Sequence, residues 1–457
     1  MLKQSAVYLL ARAVPGAVNF LALLLYARML GPAEFGRLTL LVSAANILNA
    51  AALYWVRASY LRAAADTGDD TQHRATALKL NAALVTLLLI PASVAAAAGL
   101  VPWVQAFAVI AFMGVQNACE TQQEFLRNME RGKAYGAVAL VRALTSFAVG
   151  AALIILTPLG FFAPLIGLIV GALVGLLLAR RSSGASALAS HVTPQMIRQY
   201  ASYGLPLVPY YLTLAVFGTL DRFLINHFLG KEATGTYSAG YDMVQQTIGL
   251  LFIAINLAGL PALFRAFNQV APVWESRARQ HAFLILGATV APALTVTLYA
   301  REITTHLLGS AYTGASVILP LIAWSTVLAG LRGNYYDVSF QVSKRTVWQL
   351  PAVLLGLALN VALGFILIPR MGLLGAAVAS AASHGAALLT SALLTIRIQP
   401  MPLPLREWGR VGLGAAAFVL IANVTGALPA VLSAGLALAA YVLTAFALHR
   451  SARTRAA

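Results

Sequence analysis

The feature that most constrains this chain is a succession of long, unbroken apolar segments joined by very short connectors. Fourteen can be set out, near residues 6–29, 37–60, 77–100, 102–126, 135–157, 160–179, 203–227, 238–264, 281–300, 315–338, 349–368, 372–396, 409–426 and 428–448. Each is close to the roughly 20 residues that an α-helix needs to cross a bilayer. A membrane barrel would instead show strands of about 10 residues that alternate in polarity, and these runs do not alternate. A water-soluble fold fails on surface: the chain is 60% hydrophobic and 10% charged, with a mean hydropathy of +0.80. Soluble domains carry roughly 25% charged residues, and a chain this poor in charge would expose very large apolar patches. The expectation is an all-α integral membrane protein of about 14 transmembrane helices.

The longer connectors, 63–76, 180–200, 265–280 and 399–407, are too short for a separate soluble domain. Any chemistry therefore has to sit among the helices. The start, Met1-Leu2-Lys3-Gln4, leads into an apolar segment without a small-residue cleavage site and reads as a first retained helix. With the N-terminus placed inside, 21 of the 31 lysines and arginines fall in inside connectors or tails, five outside and five within spans. Positive charge marks the cytoplasmic side, so both termini are expected there. The same bias accounts for most of the net charge of +17. No nucleic-acid partner is needed, and no basic face with stacking aromatics is present to bind one. Cys119 is the single cysteine, which rules out an intrachain disulfide.

Two sequence echoes point to an internal repeat. Leu30-Gly31-Pro32-Ala33-Glu34-Phe35-Gly36 after the first span matches Leu229-Gly230-Lys231-Glu232-Ala233-Thr234-Gly235 after the seventh. Pro158-Leu159-Gly160 after the fifth span matches Pro369-Arg370-Met371-Gly372 after the eleventh. Both pairs lie six spans apart, an even number, so the halves share one orientation across the membrane. The expected architecture is two pseudo-symmetric six-helix lobes around a central cavity, residues 1–200 and 201–400. Residues 401–457 add a helix pair and a basic cytoplasmic tail.

The stretch from Tyr8-Leu9-Leu10-Ala11-Arg12 through Tyr26-Ala27-Arg28-Met29-Leu30-Gly31-Pro32-Ala33-Glu34-Phe35-Gly36-Arg37 resembles the polysaccharide flippases of the multidrug/oligosaccharidyl-lipid/polysaccharide exporter superfamily. Asp221-Arg222, Phe228-Leu229-Gly230 and Gly235-Thr236-Tyr237-Ser238-Ala239-Gly240-Tyr241 are similar to the matching region of those proteins. The specific motifs cover about sixty residues, and span number and charge layout extend the likeness over most of the chain. The resemblance implies a transporter in a bacterial inner membrane. It would turn a polyprenyl-pyrophosphate-linked oligosaccharide between leaflets, among membrane lipids and with a polysaccharide polymerase and chain-length regulator as partners.

The charges within spans need a reason of their own, since a mid-bilayer arginine costs at least about 2.5–3.5 kcal/mol on insertion scales. Arg12, Arg57, Arg142 and Arg332 come from four helices at similar depth in the inner half. Two accounts compete: snorkelling to the headgroups, or a basic cavity that grips a pyrophosphate with planar guanidinium forks. Gln116, Glu120 and Glu124 are spaced to line one side of the fourth span. Glu120, Glu124, Asp221 and Asp242 are either ion-coupling carboxylates or charge partners of the arginines. Asn19, Asn46, Asn49, Tyr210, Tyr211, Tyr237, Tyr241, Gln245, Gln246 and Asn256 are candidate sugar contacts, with interfacial anchoring as the rival account for the tyrosines.

Gly167, Gly171 and Gly175 repeat at four-residue spacing and read as a helix-packing surface. The histidines are scattered, so no metal site is expected. The chain has no P-loop or dinucleotide fingerprint, and no cofactor is expected. Other readings remain: a peptidoglycan-precursor flippase or drug/cation antiporter of the same superfamily, or, in another class, a membrane-embedded polymerase or glycosyltransferase.

Overall fold

The computed structural model describes the backbone of residues 2–66, 70–183, 191–267 and 271–454. It describes the side chains of 13–64, 70–183, 191–267 except 258, 272–445 and 447. Among these residues every regular element is helical. In chain order they are α1 (Leu2–Ala52), α2 (Tyr54–Asp66), α3 (Thr71–Ala97), α4 (Trp103–Asn128), α5 (Gly132–Leu156), α6 (Phe162–Ser183), α7 (Pro194–Gly204), α8 (Val208–Phe217) and α9 (Leu220–Phe267). There follow α10 (Ala271–Leu298), α11 (Ala300–Ile303), α12 (Leu319–Leu331), α13 (Asp337–Val342), α14 (Leu350–Met371), α15 (Leu373–Ile398), α16 (Leu405–Val424) and α17 (Ala430–Thr454). Two π-helical turns, Thr304–Leu308 and Arg332–Tyr336, interrupt the second half.

Among the described residues seven helices are long and apolar enough to span a membrane, or nine if each of two bent pairs is one span. The protein is thus a multi-pass, all-helical membrane protein. The count is lower than the number of apolar segments partly because α1 contains the first of them and most of the second. Its arms meet at Gly31, with φ 72° and ψ 170°, a region that only glycine enters readily. The expected connector at 31–36 shrinks to that one residue. Pro32 follows directly, and proline is at home in a first helical turn because its missing N–H would be unsatisfied there anyway. The two arms of α9 meet in the same way at Gly230, with φ 85° and ψ −175°.

The chain divides into two compact units, Met1–Phe223 and Leu224–Ala457. In the first, α5 packs on α6 and on α1, α4 lies against α6 and α3, and α8 rests on α1. In the second, α15 packs on α14 and α12, and α10 on α12; α16 and α17 pair with each other, and α16 leans on α10.

Among the described residues eight have positive φ: Gly31, Gly99, Glu130, Gly160, Gly230, Gly309, Lys344 and Gly372. They form four pairs, each member of the first unit's set recurring at the matching turn of the second half. The Glu130 and Lys344 turns even share their hydrogen bonds. Glu130 N donates to Arg127 O at 3.0 Å and Arg131 N to Leu126 O at 2.9 Å; Lys344 N donates to Gln341 O at 3.1 Å and Arg345 N to Phe340 O at 2.8 Å. This is a Schellman ending, which normally recruits glycine at its left-handed position. Two motifs separated by a repeat length thus close helices with one backbone geometry, and the echoes in the sequence mark turns that need it.

Candidate functional site

The first unit gathers charge around one carboxylate. α4 presents Gln116 and Glu120 one turn apart, and Gln116 Nε2 donates to Glu120 Oε1 at 3.0 Å. From α2, Arg57 Nη1 donates to Glu120 Oε2 at 2.5 Å. From α5, Arg142 Nη1 stands 3.9 Å from Glu120 Oε1. Two cations share one anion, so the cluster keeps a net positive charge while its polar atoms are partly met. Glu124, one turn further along α4, pairs instead with Arg127 at 2.7 Å. The Glu120 and Arg142 side chains are each 24% exposed, whereas Arg57 is 10% exposed. Two partly exposed members thus stand beside a buried one.

Small residues hold these helices in place. A Cβ at Gly171 would strike the Arg142 carbonyl and the Ser146 side chain; one at Gly175 would lie 3.2 Å from Arg142 Cβ and 3.0 Å from Cys119 Sγ. The glycine row on α6 therefore brings α5 close at the turn that carries Arg142. Tyr26 of α1 donates to Ser146 O at 3.0 Å and fixes the other side of α5.

Aromatic rings continue the cluster. The Arg57 guanidinium lies 4.4 Å from the Tyr54 ring centroid, and Tyr54 meets Tyr211 of α8 at 4.4 Å. Tyr210 touches Tyr211 edge-on at 5.7 Å. Asn49 Oδ1 is buried without a hydrogen-bond partner among the described residues, while Asn46 is half-buried on the same arm of α1. The side chain of Arg12 lies outside the described residues.

The second unit holds the remaining candidates in separate groups. Arg332, at the start of a π turn, pairs with Asp337 at 2.9 Å, and Ser391 Oγ donates to Asp337 Oδ1 at 2.7 Å. Both charged side chains are almost fully enclosed, 9% and 3% exposed. Asn334 of the same turn accepts at its carbonyl from His281 Nε2 (3.1 Å) and at its side chain from Asn256. On α9, Tyr237 and Tyr241 stack at 6.0 Å, and Gln245 Nε2 donates to the Tyr241 hydroxyl at 3.0 Å. Asp242 is half-buried beside them. At the start of α9, which the first unit claims, Asp221 is buried next to Arg222, whose Nη1 donates to Ser43 Oγ at 3.0 Å.

Sequence reasoning placed Glu120 near the arginines but did not foresee that two of them converge on it. It missed Tyr54 altogether. The one available signal was that Tyr54 precedes Arg57 by three residues, which puts both on one face of a helix.

The fold has known counterparts. It matches the lipid II flippase MurJ in an inward closed conformation with a TM-score of 0.79, covering 98% of this chain and 99% of that one at 11% identity. It matches an inward-facing multidrug resistance MATE family transporter of the MOP superfamily at 0.64, with 86% and 98% covered and 14% identity. A MOP superfamily transporter from Pyrococcus furiosus, described as having a binding pocket of reverse polarity, matches at 0.63, with 87% and 95% covered and 15% identity. Among curated proteins, Lsg locus putative protein 1 of Haemophilus influenzae is 27% identical over 127 residues. That match spans 28% of this chain and 31% of the relative, less than a third of its length. The polysaccharide biosynthesis protein family matches the chain over residues 1–267, more than half of its length, and the protein belongs to that family.

Proposed function

We propose that the protein is a flippase that carries polyprenyl-pyrophosphate-linked oligosaccharide repeat units across a bacterial inner membrane by alternating access, supplying cell-surface polysaccharide synthesis. The observation that carries this reading is the convergence of Arg57 and Arg142 on the single carboxylate of Glu120. A diphosphate offers several acceptor oxygens and more charge than one carboxylate, and guanidinium groups match that geometry with paired donors. Displacing Glu120 from Arg57 and Arg142 is then the first step of loading, and Glu120 returning to them assists release. Arg12 joins the grip on sequence grounds, while Arg332 already commits its charge to Asp337. Family membership supports a polysaccharide pathway, and a fold shared with a lipid II flippase supports a lipid-linked cargo. The charge bias along the connectors supports cytoplasmic termini. A polymerase and a chain-length regulator would then receive the product.

The test is complementation of a strain lacking its own repeat-unit flippase, with polymer export and membrane abundance measured together. Arg57→Gln and Arg142→Gln should each weaken substrate binding by roughly ten- to a hundred-fold, the loss of one hydrogen bond to a charged group. Lysine at either position should restore part of the activity, because it keeps the charge and loses the fork. Normal export by both glutamine variants overturns the reading.

A further inference from the structure

The strip of rings that begins at Arg57 is built unlike the fully buried Tyr60, Tyr200 and Tyr335. Those three give their hydroxyls to the protein: to Asp70 at 2.7 Å, His73 O at 2.9 Å and Pro402 O at 2.6 Å. Tyr54 and Tyr211 are only half-buried, and neither hydroxyl has a hydrogen-bond partner among the described residues. Nor do the rings splay apart, as tyrosines anchored in a lipid interface are free to do. Arg57 lies 4.4 Å from the Tyr54 centroid, Tyr54 lies 4.4 Å from Tyr211, and Tyr211 lies 5.7 Å from Tyr210. The guanidinium and three rings form a continuous row of contacts drawn from α2 and α8, cationic at one end and aromatic along the rest.

That order has a chemical counterpart. In a glycosyl diphosphate the first sugar is bonded directly to the anion, so any site that grips the phosphates meets that sugar as its next neighbour. A pyranose ring presents a face of C–H groups, and the electron-rich face of an aromatic ring attracts such positive edges. The arginine held against Tyr54 by its own cation–π contact fixes where the anion ends and the aromatic surface starts.

We propose that Tyr54 and Tyr211 form a sugar-binding ledge continuous with the anion site, on which the first pyranose of a glycosyl diphosphate rests while its phosphates engage Arg57 and Arg142. Tyr211 is the contact residue. Tyr54, in contact with both Arg57 and Tyr211, is a positioning residue that sets the distance between them. This rests on the diphosphate reading above.

The experiment uses full-length protein in lipid nanodiscs and two probes, undecaprenyl diphosphate and undecaprenyl-diphosphate-linked N-acetylglucosamine, with dissociation constants measured for each. The readout is the ratio of the two. The wild-type protein should favour the glycosylated probe by roughly two- to ten-fold, the range that one aromatic contact supplies. Tyr211→Leu should bring the ratio to about one, and Tyr211→Phe should keep it. Equal binding of both probes by the wild type overturns the ledge and leaves the anion site standing. Binding of neither probe overturns the diphosphate reading and the ledge with it. A Tyr211→Leu variant that loses abundance but keeps the wild-type ratio marks these tyrosines as interfacial anchors, and that too overturns the ledge.

Discussion

The two units share one set of turns and use their charges in opposite ways. In the first, Arg57, Glu120 and Arg142 come from three helices and leave a net positive charge, with Glu120 and Arg142 partly exposed and Arg57 buried. In the second, Arg332 and Asp337 come from one stretch of chain, are nearly sealed and cancel, with Ser391 completing the carboxylate's shell. Glu120 and Arg332 fall at comparable places in the repeat: Glu120 lies ten residues before the Glu130 turn and Arg332 twelve before the Lys344 turn. The π turn at Arg332–Tyr336 takes up extra length in the second. The backbone plan is thus conserved within the molecule while the side-chain chemistry is reassigned. One copy keeps two cations on one carboxylate, and the other is closed by its own ion pair.

The corner formed by Glu34 follows the same division. Its Oε2 accepts from Phe161 N at 3.1 Å, and its Oε1 pairs with Arg37 at 3.0 Å, which ties the first echo motif to the turn at Gly160. In the second copy the matching position is Ala233, and nothing lies within 4 Å of a Cβ built at Gly372.

The contrast can be broken most directly at Asp337. Asp337→Ala leaves a buried guanidinium without its counter-charge, and breaking such a pair costs about 3–5 kcal/mol. The variant should lose most of its membrane abundance and melt far below the wild type in detergent. An unchanged melting temperature would mean that the second site is open after all. A smaller and deliberately symmetrical effect is expected at the helix breaks. Gly31→Ala and Gly230→Ala each force a side chain into a region of φ and ψ that costs about 1–3 kcal/mol. Open space around both positions means that no clash adds to it. The two variants should therefore lower the melting temperature alike, and a large difference would argue that the paired turns are not equivalent. The smallest change in stability is expected at Glu120, which is 24% exposed and where glutamine keeps an oxygen to accept from the buried Arg57. Glu120→Gln should melt near the wild type, bind undecaprenyl diphosphate up to about ten-fold more tightly and more salt-sensitively, and export less polymer because release is slowed. Weaker binding would show that Glu120 positions the arginines rather than competing for them.

Much of the fold was legible because apolar runs of helical length have one outcome in a bilayer, where every backbone polar group must be satisfied within the chain. The glycine echoes were legible for a related reason: Gly31, Gly160, Gly230 and Gly372 all sit at positive φ, so the turn dictates the residue. Span ends were less so. Nothing in Leu30-Gly31-Pro32 distinguishes a loop from a one-residue break until the second arm of α1 is seen to start at once. Among the site residues, spacing on one helix put Gln116, Glu120 and Glu124 together. The meeting of Arg57, Glu120 and Arg142, separated widely in sequence, depends on tertiary packing that no local pattern records. The same holds for Tyr54 and Tyr211.

The glycine row on α6 also has a mechanical meaning. Where Gly167 and Gly171 face Ser146, Gly150 and the Arg142 carbonyl, backbone lies close on backbone, and the short Ser146 side chain is the one side chain at the contact. Two helices seated so closely cannot slide past one another without collision, and α5 and α6 must travel as a single rod. On the proposed diphosphate reading, Arg142 then follows its cargo only by the swing of its own side chain, about the length of a few carbon–carbon bonds, unless α6 is displaced along with it. Any stroke of the transport cycle longer than that reach has to be made by the pair.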